Sequence, residues 1–151
     1  MITYTRAPDV EEVAKRIIDA LKMKHVDPER LAFYRSKGSR AYRVQARIHG
    51  LGRIWFDALS IKPRYIIEVI SEEYDKLDTE SKEKVIIHEL MHIPAGFSGG
   101  FVPHKGRINK KTVEAMHKSY ARESHPTNTP ANREEAFSMP MSHLVQQKQA
   151  G

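Results

Sequence analysis

Val85-Ile86-Ile87-His88-Glu89-Leu90-Met91-His92-Ile93-Pro94 is the stretch on which the fold turns. Val85, Ile86, Ile87, Leu90, Met91 and Ile93 make a helix that is apolar on most sides, and such a helix belongs inside a protein. Asp78 or Thr79 can cap its start, and Glu80 and Glu83 put negative charge in its first turns, where the helix dipole favours it. Pro94 ends it, because the residue before a proline resists helical geometry. Side chains four apart share one helix face, so His88 and His92 can grip a single metal ion. Glu89, one residue further round, is then placed to act on a water beside that ion. A buried helix must neutralise two imidazoles and a carboxylate, and one divalent cation with its water meets all three needs.

The rest of the composition narrows the ligand chemistry. The chain has 151 residues, the length of one domain with a real core. It has no cysteine, which excludes disulfides and thiolate metal sites and leaves His, Glu and Asp as ligands. No apolar run of signal-peptide length lies in Met1–Asp9, and no stretch is apolar for long enough to span a membrane, so a cytoplasmic protein is expected. The net charge of +6 suits an acidic partner such as nucleic acid or the ribosome. Lys105, Arg107, Lys110, Lys111, Lys118 and Arg122 cluster after the histidine helix. With no nucleic-acid motif beside them, a solvated face explains these charges more simply.

Along the chain, residues 9–24 read as an amphipathic helix with Val10, Val13, Ala14, Ile17, Ile18 and Leu21 on its apolar stripe. Leu31–Arg35 and Tyr42–Ile48 read as strands, Gly50-Leu51-Gly52 as a break, and Ile54–Leu59 as a short helical or extended segment. Arg64–Ile70 is the strongest strand, with Tyr65, Ile67 and Val69 on one face. Glu68 on its other face points to an edge or cleft position, where the strand could pair with an extended peptide. A last helix begins at Asn109 as cap, with Val113, Met116 and Tyr120 inward. The domain is expected over 1–121, followed by a polar tail over 122–151.

A catalytic zinc takes three protein ligands and keeps one position open. The extension with Gly three and His six residues past the second histidine is absent, since Ala95 and Ser98 stand there. His104 is the better third ligand, reached through Gly96, Gly99 and Gly100, whose φ freedom lets the chain double back. Glu114, on the following helix, is its rival. His117 and His125 read as surface or supporting residues, and His25, His49 and His143 have no local support as ligands. Tyr120, His117 and Arg107 are candidates for stabilising an oxyanion.

His88-Glu89-Leu90-Met91-His92-Ile93-Pro94, then Phe97-Ser98-Gly99-Gly100 and Pro103-His104, resembles a group of predicted metallopeptidases from archaea and phages. The likeness extends upstream to Gly50–Trp55 and Tyr65–Ser71, and covers roughly residues 31–120. More distantly the chain is similar to the zincins, including SprT-like proteases that act on DNA-bound proteins. That resemblance implies an α+β fold: a few-stranded sheet packed on the active-site helix, flanking helices, and substrate lying along an edge strand. It also favours His104 as the third ligand. The expectation is a zinc-dependent peptidase in which His88, His92 and His104 hold Zn2+, Glu89 is the general base and the substrate is a protein or peptide. The alternative is a nucleic-acid- or ribosome-associated protein whose metal is structural or whose site is inactive.

Overall fold

The computed structural model describes residues 1–126. Along them run β1 (Thr3–Arg6), α1 (Pro8–Ala20), β2 (Leu31–Lys37), β3 (Ala46–Gly50), α2 (Arg53–Leu59), β4 (Tyr65–Ile70), α3 (Ser71–Tyr74), α4 (Thr79–Met91) and α5 (Lys110–Ser124). The strands form one mixed sheet in the order β1-β2-β4-β3. Strands β2 and β4 are parallel, and both edge pairings are antiparallel. This is the expected α+β domain, a small sheet covered on one face by helices. No described helix is long and apolar enough to cross a membrane.

The histidine helix forms where its caps put it. The Asp78 side chain accepts from the Ser81 N–H at 2.8 Å, and the α-helix ends at Met91 with His92 as its C-cap. Its apolar sides are buried as the pattern requires: Ile86, Ile87 and Leu90 have no solvent exposure. They meet Val10, Ala14 and Ile17 of α1, Phe33 of β2, and Tyr65, Ile67 and Val69 of β4 in one core. Burying a large aliphatic side chain contributes roughly 1.5–3 kcal/mol, so this layer holds α4 against the sheet. A bidentate ion pair reinforces it: Arg35 of β2 donates to Asp9 of α1 at 2.8 and 3.0 Å, and also reaches Asp75 just after α3.

Several expectations need correction. Strand β4 is interior, bonded to β2 on one side and β3 on the other. Glu68 therefore marks no edge, and Arg64–Ile70 has no free backbone for an incoming peptide. Its carboxylate is buried because His49 Nε2 lies 2.6 Å from Oε2. Burial pushes that carboxyl's pKa up, but the Ser36 hydroxyl and the His49 ring outweigh this and hold it low. The strand expected over Tyr42–Ile48 begins only at Ala46 and runs on to Gly50, because Arg43 adopts φ 62° and turns the chain first. Helix α1 stops at Ala20, and Lys22 turns left-handed at φ 51°. Strand β1 and helix α3 were not foreseen. Helix α5 runs through Ser124, and residues 127–151 of the expected tail lie outside the described residues.

The loop after α4 uses its glycines selectively. Gly99 sits at φ +97°, and a Cβ there would lie 2.5 Å from the Phe56 ring. Gly96 and Gly100 have open space around a Cβ and ordinary φ, while Phe97 takes a left-handed turn at φ 47°. Gly99→Ala is therefore expected to destabilise the domain by about 2 kcal/mol through φ strain and overlap. Gly96→Ala and Gly100→Ala should stay within about 0.5 kcal/mol of wild type. Urea unfolding of the three variants checks this, and equal midpoints would remove the special role of Gly99.

Candidate metal centre

The loop from Pro94 to His104 returns over the end of α4 and is fastened at three points. The Tyr65 hydroxyl, on the buried face of β4, accepts from the Gly99 N–H and donates to the Gly100 carbonyl, both at 2.8 Å. The Phe97 ring packs edge-on against Tyr65 at 4.9 Å, under the Arg30 guanidinium at 4.5 Å. The Val102 N–H donates to the His92 carbonyl at 2.8 Å. A residue further on, Pro103 leads into His104.

This path brings the third imidazole back to the first two. His104 Nε2 lies 3.0 Å from His88 Nε2 and 3.1 Å from His92 Nε2. One ligand atom from each of the three rings falls within 4.8 Å of the others. His92 Nδ1 stands 2.7 Å from the Val102 carbonyl oxygen, a contact that requires Nδ1–H to donate. Its Nε2 is then left as a bare lone pair pointing into the cluster, the tautomer a metal ligand needs. Burial first, and the nearby His92 and His104 rings second, hold the His88 ring below its ordinary pKa, so it stays neutral near pH 7.

The donor set fits a divalent cation. A single shared proton can bridge only one pair of nitrogens, whereas three Nε2 atoms converge here. Two nitrogens bound to one tetrahedral zinc at roughly 2.0–2.1 Å stand about 3.3–3.4 Å apart, within a few tenths of an ångström of this spacing. His104 is exposed, so the cluster is open to solvent on that side.

Glu114 is elsewhere. Its carboxylate meets Lys84 Nζ at 3.0 Å, which also lowers its pKa, and it takes no part in the cluster. His117 is buried rather than superficial, its Nε2 at 2.8 Å from Glu83 Oε2 where α5 crosses α4. Tyr120 is a core residue, so neither is turned to the site as an oxyanion partner. Arg107 is exposed, as are Lys105, Lys110, Lys111, Lys118 and Arg122. His125 is exposed, and His143 lies outside the described residues.

Glu89 is 8 % exposed, and its burial raises its pKa to about 7, tempered by the backbone N–H of Ile48 in β3. That contact follows from the sheet register. Ile70 N–H donates to the Gln45 carbonyl, so positions 47 and 49 also carry the bonds to β4, and Ala46, Ile48 and Gly50 turn theirs to the outer edge. Glu89 thus sits between the histidine cluster and the free edge of β3. A groove of about 580 Å³ runs on from His88 and Glu89 between that strand, α4 and the start of α5. Sequence reasoning missed the Tyr65 clamp, the Val102 carbonyl and the Ile48 N–H. Alternation put Tyr65 on the buried face, but hydroxyl and backbone partners carry no signature in the chain.

A family model described as "Putative phage metallopeptidase" matches residues 2–120. No curated protein matches the chain, and no solved structure does.

The cluster sets an expectation for metal content. After loading and desalting, wild type should retain about one equivalent of zinc, and His88→Ala, His92→Ala and His104→Ala should each retain far less. Glu114→Ala should match wild type. Elemental analysis decides it, and an undiminished metal content in His104→Ala would displace that residue from the site.

Proposed function

The chain belongs to the putative phage metallopeptidase family, and on that footing we propose that it is a zinc-dependent peptidase acting on protein or peptide substrates. The observation that carries this reading is the convergence of three imidazoles, with His104 Nε2 at 3.0 Å from His88 Nε2 and 3.1 Å from His92 Nε2, on an exposed side of the molecule and next to a buried carboxylate. Zinc held by His88, His92 and His104 would supply Lewis acidity to polarise a scissile carbonyl and acidify a water.

The chain's own groups do the rest. Glu89, with a pKa raised towards neutrality, takes a proton from the attacking water as the O–C bond forms. It then delivers that proton to the amine nitrogen as the C–N bond breaks, and ends the cycle ionised. The Val102 carbonyl keeps the His92 ring in the tautomer that leaves Nε2 free. Strand β3 takes the part first expected of β4: the outward groups of Ala46 and the Ile48 carbonyl can pair with an extended polypeptide beside Glu89. The distant likeness to zincins and SprT-like proteases belongs to this same reading.

A structural or inactive metal site on a nucleic-acid- or ribosome-binding protein would be favoured by a fourth protein ligand closing the centre. Glu114, the candidate for that ligand, is engaged by Lys84, which supports the open, hydrolytic arrangement.

Glu89→Gln should lower kcat on a denatured protein substrate by about 100-fold or more while keeping zinc at the wild-type level. Hydrolysis assays run beside elemental analysis test this. Equal turnover by the two proteins, or no bound metal in either, removes the mechanism.

A further inference from the structure

Building on the peptidase reading, we infer that the groove leading from His88 and Glu89 selects substrates with an acidic side chain beside the scissile bond. The groove is large enough for one extended side chain, at about 580 Å³. Its walls change character along their length. Ala46 of β3, Val85 of α4 and Val113 of α5 give it apolar sides, and its rim carries Arg43, Lys84 and Lys110.

The three cations are not equivalent. Lys84 is already paired, and outnumbered, by Glu80 at 2.6 Å and Glu114 at 3.0 Å. Arg43 and Lys110 have no salt-bridge partner among the described residues, though Lys110 lies near enough to Glu114 to help hold that carboxyl's pKa low, and the other carboxylate of the lining is Glu89. Arg43 sits in a left-handed turn at φ 62°, with its guanidinium 5.0 Å over the ring of the exposed Tyr42. Lys110 occupies the first turn of α5, where a cation opposes the helix dipole and an anion would be welcome. A glutamate side chain matches this gradient: its methylenes lie along Val85 and Val113, and its carboxylate meets Arg43 and Lys110. A purely apolar side chain would leave Arg43 unanswered.

Two arms test this. In a degenerate peptide library digested by the zinc-loaded protein, Glu and Asp should be enriched about tenfold over Gln and Asn at one position adjoining the cut. The double variant Arg43→Glu with Lys110→Glu, checked for folding by circular dichroism, should swing that position towards Lys and Arg. In the second arm, the Glu89→Gln chain is titrated by fluorescence anisotropy with a labelled Glu-containing peptide and with its Gln counterpart. The Glu peptide should bind about tenfold more tightly at low salt, with the gap narrowing as salt rises. Cleavage without acidic preference, or a preference that survives the charge reversal, overturns the inference and leaves the peptidase reading standing. If wild type cleaves nothing, the peptidase reading falls and the binding arm alone decides the groove: selective binding retains it, and equal binding removes it.

Discussion

The site depends on how the loop after α4 is pinned, since two histidines on a helix make only a partial ligand set. The third arrives because the Tyr65 hydroxyl is held between the Gly99 N–H and the Gly100 carbonyl, which fixes the loop to the central strand of the sheet. Removing such a hydroxyl leaves the buried Gly99 N–H unmatched, at about 1–3 kcal/mol. The loop is also tied to the helix by two bonds between the same pair of residues, His92 and Val102. One of them runs through the His92 ring. Loop placement and ligand orientation are therefore one interaction: if the loop lifts, His104 leaves and His92 loses the partner that sets its tautomer.

Much of this was readable in the chain, and the failures have a common cause. The pattern around His88 and His92 gave a buried, capped helix, and the glycine-containing return to His104 gave the third ring. The alternation Tyr65, Ile67, Val69 placed the inner face of β4 correctly, and all three are at most 1 % exposed. What failed was sheet order. A carboxylate is costly inside a sheet, which points Glu68 to an edge or a cleft; the edge is wrong, while the residue does line a cleft with Tyr4, Tyr34, His49 and Ile66. The chain meets that cost with His49, a residue 19 positions away whose pairing exists only once β3 has docked beside β4. Strand β1 and the late start of β3 were missed for the same reason, since tertiary pairing fixes them more than local pattern does. His117 likewise looked superficial until Glu83 of the neighbouring helix met it.

The exchange of β4 for β3 as the edge alters the chemistry as well as the topology. An edge at β4 would have put a substrate beside Glu68, on the side of the sheet away from the helices. The edge at β3 instead adjoins α4, and its outward N–H at Ile48 addresses Glu89. Two independent features, a strand register and a helix periodicity of four, thus arrive at the same place.

That meeting has an energetic signature. Burial pushes the Glu89 carboxyl up to about 7, so near neutral pH the folded chain holds it partly protonated and gains less from its ionisation than an exposed glutamate would. A fold selected for stability alone would replace this residue with an apolar one, as it has done at Ile86, Ile87 and Leu90 on the same helix. The neighbouring imidazoles raise the same objection, since His104 Nε2 stands 3.0–3.1 Å from both His88 Nε2 and His92 Nε2 and a single shared proton cannot satisfy all three. A divalent cation answers both: it satisfies the three nitrogens and draws the carboxylate towards its charged form. The features that weaken the domain without a metal are thus the ones that equip it to hold one, which is why the site is better explained by chemistry than by packing.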